Sequence, residues 1–462
     1  MNKKTTLLAL GITTALGSVS AQAADKELLD MLLQNGAINH KQYNALLKKS
    51  SLSKSDISDV KVKLGKKGLQ FQTADKNFKL KIGGRLHADA TFHSNDNLTK
   101  KADSGTEIRR ARIHLKGTMW KDFFYKSQFD FAENKVGVKD LYIGYKGIKG
   151  FQVIVGNQKQ PVSEELQESS NDIMFTERSL LTAMSESAFD RAIGINTKAY
   201  GKNWHVQAGV YGDAVGHNAK NAGEEGWGVG ARASFAPINT KTQVVHLGAS
   251  VGYREVAQSG GLYKSNNNYA QFKNETAHMT NLFLTDTGKI TDAKSFTVAG
   301  AEAGYMQGPF SVQAEYMRGW VDRTAQNPTL EFDGFYVQTA WTLTGESRSY
   351  KGKDGKFKRL KPSQPFSFKN GGIGAIELAA RYDQIDLSSN GWTAPIINGK
   401  GGETGGHQKG VTMAVNWYLN ENVRLMADYR VAFDVKGSPV TTAAGGRVPD
   451  QDIVTLRAQW AF

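Results

Sequence analysis

In Val423-Arg-Leu-Met-Ala-Asp-Tyr-Arg-Val-Ala-Phe-Asp434, every second side chain is apolar and most of the others are charged, and this pattern indicates the fold. The same period of two runs through residues 411–419 and 451–462. Successive side chains of a strand point to opposite faces, so one face is apolar and the other polar. This repeat is typical of a transmembrane β-strand with lipid on one side and water on the other. A soluble sandwich also alternates, but it rarely sustains so many strands of about ten residues.

Sixteen segments of this kind follow one another, an even number that lets a barrel close with both termini on one side. Long gaps follow odd segments and tight gaps follow even ones, as expected for outer loops and periplasmic turns. Residues 345–372 break this rule, so either the count is wrong there or one periplasmic turn is large. The predicted strands are 77–91, 107–119, 121–132, 137–147, 150–157, 191–200, 203–212, 225–236, 243–254, 295–305, 309–319, 333–344, 373–386, 408–419, 422–434 and 451–462.

The sequence therefore predicts an all-β fold, a 16-stranded antiparallel transmembrane β-barrel over residues 68–462. Residues 1–23 are predicted to be a cleaved signal peptide, because Lys3 and Lys4 precede a short apolar run and Ala21-Gln22-Ala23 offers a cleavage site. Residues 24–67 are predicted to be a short helical periplasmic segment followed by a linker. The expected location is the outer membrane.

Composition excludes several classes of protein. The chain has no cysteine, which excludes disulfides, thiolate metal sites and cysteine nucleophiles, and its mean hydropathy of −0.44 excludes a bundle of membrane helices. The net charge of +14 indicates an anionic partner, and export makes nucleic acid an unsuitable one. Outer-membrane lipid is expected to surround the barrel. The terminal Phe462 is the expected signal by which the barrel-assembly machinery recognises the chain.

Charged side chains must face the lumen, because a charge at the lipid midplane costs about 2–4 kcal/mol. A lumen with more Arg and Lys than Asp and Glu should concentrate anions. The alternative for any single arginine is a structural ion pair with a lumen carboxylate. The residues assigned to the substrate pathway by this register are Arg85, Arg110, Arg112, Lys126, Asp140 and Arg254, with Asp130, Lys198, Arg232, Arg381, Arg424, Arg430 and Arg457 as further inward residues.

Residues 157–190 are too long for a hairpin turn and are predicted to fold into the lumen as a constriction loop. The loop residues expected to act there are Glu164, Glu165, Glu168 and Arg178. The alternative is an exposed surface loop.

One sequence motif matches a catalytic motif of hydrolases. Gly248-Ala249-Ser250-Val251-Gly252 matches a hydrolase nucleophile elbow, which requires a strand, a strained turn and a helix. Here the motif lies inside an alternating strand, so no catalytic serine is expected. No enzyme activity, cofactor or metal site is predicted.

Phe78-Lys-Leu-Lys-Ile-Gly-Gly-Arg-Leu-His-Ala-Asp89 followed by Ile108-Arg-Arg-Ala-Arg112 resembles the phosphate-selective porins O and P of Gram-negative bacteria. Val138-Lys-Asp-Leu-Tyr-Ile-Gly-Tyr145 and Val415-Asn-Trp-Tyr418 are similar as well. The resemblance implies a homotrimer of sixteen-stranded barrels in which an arginine ladder draws phosphate inward. It implies that Arg85, Arg109 and Arg110 are inner arginines and that Asp140 is the central aspartate.

Two lysines of that family do not carry over, since this chain has Phe124 at one position and Leu166 as the nearest match to the other. Two missing cations and added loop carboxylates should weaken a dedicated phosphate site. The predicted function is passive diffusion of small anions such as phosphate, polyphosphate and chloride through a porin. A general, weakly selective porin is the alternative within transport, and a barrel hydrolase using Ser250 or an adhesion barrel are the alternatives outside it.

Overall fold

The computed structural model describes residues 29–52, 60–94, 97–215, 226–256, 269–324, 326–389, 392 and 405–462. The predicted signal peptide, residues 1–23, lies outside these residues. The chain divides into two units, Met1–Lys61 with Gln72–Lys76, and Val62–Phe71 with Asn77–Phe462.

The described part of the smaller unit is helical over residues 29–34 and in helix α1, His40–Leu52. Helix α1 begins at a reciprocal cap, because Gln42 N donates to Asn39 Oδ1 at 2.9 Å and Asn39 N donates to Gln42 Oε1 at 3.0 Å. None of the described helices combines the length and the apolar character needed to cross a membrane.

The larger unit contains a closed barrel of sixteen antiparallel strands. Each strand pairs with the next along the chain, and the last pairs with the first from Ile453 beside His93 to Ala461 beside Arg85. The predicted count and position of every strand are therefore confirmed. The strands are β1 Lys79–His93, β2 Gly105–Met119, β3 Phe123–Asp130, β4 Gly137–Tyr145, β5 Phe151–Lys159, β6 Arg191–Tyr200, β7 Trp204–Tyr211, β8 Gly228–Asn239, β9 Gln243–Glu255, β10 Ala293–Gln307, β11 Phe310–Arg323, β12 Leu330–Thr342, β13 Ala375–Asp386, β14 His407–Tyr418, β15 Val423–Lys436 and β16 Gln451–Ala461.

Two short strands precede the barrel where a linker was predicted. Val60–Gly65 and Gly68–Thr73 pair with each other. The prediction of a linker extending to Lys67 was therefore wrong over residues 60–65.

The two faces of the barrel wall follow the predicted alternation. The apolar side chains of one face are exposed, and the charged side chains of the other face are buried within the barrel. Examples of the exposed face are Ile113, Ile143, Leu247, Val337, Met413 and Leu456, and examples of the inward face are Arg232, Arg424 and Arg457.

The connection between β12 and β13 is long although it follows an even-numbered strand. It contains the short strands Ser349–Lys351 and Lys356–Lys358, and we call residues 345–372 the inserted turn. Phe357 is fully buried with Val244 and Met306 of the barrel wall. Arg232 of β8 donates to the Gly355 carbonyl at 2.5 Å. The strand count was therefore right, and the large turn folds into the barrel.

Residues 160–190, between β5 and β6, also lie inside the barrel, and we call them the infolded loop. It contains helices α2, Glu164–Gln167, and α3, Thr182–Phe189. Leu180 N donates to Asp383 Oδ2 at 3.0 Å, and Thr176 N donates to Asp428 Oδ2 at 2.7 Å. Its apolar residues pack on inward-facing side chains of β10–β13 in one cluster that includes Val162, Leu166, Leu181, Met184 and Phe189 with Val298, Met317, Phe332, Tyr336 and Ile385.

The segment that resembles a nucleophile elbow contributes to the packing of the infolded loop against the barrel wall. Gly248-Ala249-Ser250-Val251-Gly252 lies within β9, and the Oγ of Ser250 accepts a hydrogen bond from Ser163 N at 3.1 Å. A Cβ atom at Gly252 would lie 2.6 Å from the ring of Phe189. The small inward residues of the motif therefore make room for the infolded loop.

Candidate functional site

A cavity of about 700 Å³ remains between strands β1–β8, the infolded loop and the inserted turn. Twenty lysine and arginine side chains line it, against six aspartate and glutamate side chains. The half of the lumen beside β10–β13 is filled by the infolded loop. The predicted charge imbalance of the whole lumen is thus concentrated in one open half.

Arg85 lines this cavity from β1. Its Nη1 donates to Ser170 Oγ at 2.7 Å and to Ser169 Oγ at 3.3 Å, both on the infolded loop. Its Nε is buried without a hydrogen-bond partner, and no described carboxylate forms a salt bridge with it. Arg85 therefore has no ion-pair partner among the described residues, and its guanidinium group lies at the cavity wall beside two hydroxyl groups.

A β-bulge brings Arg109 and Arg110 to the same side of the wall. His87 pairs with Arg110 while Ala88 pairs with Ile108, so Arg109 is the extra residue. Strict alternation would have turned Arg109 toward lipid. Both guanidinium groups line the cavity instead.

Glu177 of the infolded loop neutralises part of this arginine cluster. Its carboxylate accepts from Arg109 at 2.8 and 3.1 Å, from Arg110 at 3.4 and 3.5 Å, and from Arg457 at 3.0 Å. Burial alone would raise the pKa of Glu177, but the three guanidinium groups hold it well below its usual value. Glu177 is therefore a shared counter-ion that orders the arginines and reduces their net charge.

A second ion-pair network surrounds Asp140. Lys126 Nζ donates to one of its oxygens, and Arg191 Nε donates to the other at 2.8 Å. Arg112 is paired nearby with Asp130 at 2.6 Å. Arg112, Lys126 and Asp140 thus line the cavity as members of ion pairs.

Arg254 does not line the cavity, unlike the other residues assigned to the pathway. It is buried, donates to the Gly212 carbonyl at 2.5 Å and forms an ion pair with Asp213. The alternation correctly placed Arg254 on the inward face, but an inward-facing side chain does not necessarily reach the open cavity. Other inward arginines are structural in the same way, such as Arg430 with Asp383 at 3.1 and 3.2 Å.

The three predicted loop acids also lie outside the cavity lining, whereas Arg178 is part of it. Glu165 accepts from Ser179 N and Oγ at 2.9 and 2.6 Å, and Glu168 accepts from Gln313 at 3.4 Å. Glu164 is fully buried, and neither of its oxygens has a hydrogen-bond partner. Burial and the neighbouring Glu302 carboxylate raise its pKa well above the usual value. Glu165 also lies 3.7 Å from Arg381 of the wall, so it opposes a wall arginine outside the cavity and none of the three acids lines the cavity itself.

The two positions without a lysine have different surroundings. Phe124 lines the cavity, so a cation is absent there. Leu166 points into the apolar cluster and is fully buried, so it occupies no cation position in the cavity. Lys159 lines the cavity instead and donates to the carbonyls of Leu166 and, at 3.1 Å, Glu168.

Sequence reasoning missed the cavity residues of the inserted turn and the serines beside Arg85. The pattern of lysines in residues 351–361 was a signal, but nothing in a single turn indicates that it enters the lumen. The missed residues that line the cavity are Ser169, Ser170, Arg191, Lys351, Lys356, Lys358 and Arg359.

Lys356 should make the charge of the cavity depend on pH. Burial and the like charge of Lys358 lower its pKa to about 7, so its positive charge is present below pH 7 and lost above it. We expect the reversal potential in a potassium chloride gradient to show weaker anion selectivity at pH 8 than at pH 6. Lys356→Arg, which stays charged, should show a smaller change; an equal change in both proteins would contradict this assignment.

The protein is a closed sixteen-stranded barrel with an apolar outer face, and the infolded loop narrows its charged lumen. These features define an outer-membrane porin, a channel rather than an enzyme. The chain belongs to the family described as phosphate-selective porin O and P, whose profile matches residues 80–462.

Porin O of Pseudomonas aeruginosa is 30% identical over 438 residues, which cover 88% of this chain and 94% of that protein. An uncharacterized protein of Caulobacter vibrioides is 28% identical, covering 78% of this chain and 69% of its own. Among solved structures, the anion-selective porin of Comamonas acidovorans superimposes with a TM-score of 0.51 at 12% identity, covering 83% of this chain and 100% of that one. The family resemblance is thus confirmed, and the solved structure supports the fold.

Proposed function

We propose that this porin passes small anions by diffusion and binds phosphate, or the phosphate groups of polyphosphate, in its basic cavity. The observation that carries the proposal is the excess of twenty basic over six acidic side chains around about 700 Å³ of open space. Basic side chains concentrate anions in a narrow pore because the field of fixed charges is weakly screened there.

The proposed phosphate site is centred on Arg85. Phosphate is tetrahedral and accepts several hydrogen bonds at once, and a guanidinium group can bind two of its oxygens together. The guanidinium group of Arg85 and the hydroxyls of Ser169 and Ser170 all line the cavity and are positioned to donate to one phosphate. Arg109 and Arg110 contribute attraction over a longer range, because Glu177 already binds both.

Two observations favour a general, weakly selective porin as the second candidate. Glu177 reduces the charge of the arginine cluster, and Phe124 stands where the resembling family has a lysine. In that case the cavity would favour anions through its net charge without holding phosphate at one place. By analogy with its family, we propose that the protein acts as a homotrimer.

Single-channel current in a planar bilayer tests the choice between these candidates. With chloride as the carrier and phosphate titrated on both sides, we expect saturable block at millimolar phosphate or below. Saturation is the expected signature because one site can hold one anion at a time. A chloride current unchanged by phosphate would contradict the phosphate site and support the general porin. Sulfate, a tetrahedral dianion, serves as the control anion.

A further inference from the structure

Four of the short turns that join even to odd strands, those of strands β2–β9, carry an exposed lysine. These lysines are Lys121, Lys149, Lys202 and Lys241, and the half-buried Lys146 shares the turn of Lys149. All four turns are fully described, and together they contain a single carboxylate, Asp122. None of these lysines forms a salt bridge with a described residue. We call the four exposed lysines the turn lysines.

Each turn lysine has a large apolar neighbour that continues the lipid-facing surface. Trp120 and Ile148 directly precede Lys121 and Lys149, and their side chains are 66% and 58% exposed. Two further neighbours lie within three residues of the remaining turn lysines; they are Trp204, 43% exposed, and Ile238, 37% exposed. Trp120 and Ile148 lie in the turns themselves, and Trp204 and Ile238 lie at the adjoining ends of strands β7 and β8.

Some basic residues at the opposite end of the barrel are paired with acids, as in Arg323 with Asp292 at 2.8 Å and Lys409 with Asp434 at 2.8 Å. Others, such as Lys100, Lys101 and Lys294, are exposed and form no salt bridge with a described residue. The turn lysines lie at the end with short turns, which faces the periplasm in barrels of this class.

We infer that the turn lysines bind the phosphate groups of anionic phospholipids in the periplasmic leaflet. Aromatic and large apolar side chains occupy the boundary between acyl chains and headgroups, and a neighbouring lysine extends its ammonium group to the headgroup. An acidic soluble protein would fit the charge equally well. The apolar neighbours favour lipid, because they place each lysine where the wall leaves the hydrocarbon layer.

The test compares the association of spin-labelled phosphatidylglycerol and spin-labelled phosphatidylcholine with the full-length protein in vesicles of phosphatidylcholine. A lysine near an anionic surface contributes about fivefold in affinity. We expect the native protein to prefer phosphatidylglycerol by at least about threefold. The quadruple variant Lys121→Gln, Lys149→Gln, Lys202→Gln, Lys241→Gln should lose this preference.

The matched control makes the same change of charge at the opposite end of the barrel, with Lys100→Gln, Lys101→Gln, Lys135→Gln and Lys294→Gln. It should keep the preference. Single-channel openings of both variants establish that each barrel is folded. An unchanged preference in the quadruple turn variant, or an equal loss in the control, would overturn the inference. Neither outcome depends on whether the pore binds phosphate ions.

Discussion

Replacing Arg85 by glutamine is expected to raise the phosphate concentration for half-block of the chloride current by about thirtyfold. Hydrogen bonds to a charged group contribute about 2 kcal/mol, which corresponds to that factor. The effect should be large because Arg85 lines the cavity and forms no salt bridge with a described carboxylate. The change is measured by titrating phosphate in single-channel recordings of the native and variant proteins.

A double variant, Arg112→Gln with Asp130→Asn, is the matched control. It also removes an arginine of the cavity, but it removes the carboxylate that binds this arginine at 2.6 Å, so the net charge of the lumen is unchanged. Half-block by phosphate should therefore stay within about threefold of the native value, since long-range attraction depends on the net charge. An equal loss in both variants, or no loss in Arg85→Gln, would contradict the site.

Replacing residues 347–362 by two glycines is expected to raise the single-channel conductance several-fold and to reduce anion selectivity. The replaced segment occupies the lumen and supplies Lys351, Lys356 and Lys358 to the cavity. Its ends already meet, because Ser363 N and Oγ both donate to Glu346 Oε1 at 2.9 Å. A short linker can therefore close the chain. The conductance and the reversal potential in a salt gradient measure the two effects.

Phe357→Ala provides a milder form of the same experiment. The change removes a fully buried ring that packs on Val244 and Met306, and such truncations cost about 3–5 kcal/mol. The inserted turn should then leave the wall part of the time, so the conductance should fluctuate between the native and the larger level. A deletion variant with native conductance would show that the inserted turn does not restrict the pore.

The alternation along the chain was sufficient to predict the strands, because every transmembrane strand places apolar side chains toward lipid and polar side chains toward water. The β-bulge at Arg109 is different, since it depends on pairing between β1 and β2. Alternation alone would have turned Arg109 outward, and only the resemblance to the family assigned it to the lumen. The surroundings of Arg254 and Glu164 could not be predicted, because Asp213, which pairs with Arg254, and Glu302, which repels Glu164, are distant in sequence.

The amino-acid pattern alone specifies the sixteen strands, their two faces and a basic interior, because a period of two and the cost of charge in lipid act locally. Which half of that interior is open depends on tertiary contacts. The infolded loop fills the side of β10–β13, and the inserted turn enters from the other end. These two segments pack against strands that are remote along the chain, so no local pattern specifies where they lie. Their positions determine that Arg85 faces open space while Arg254 is confined to an ion pair.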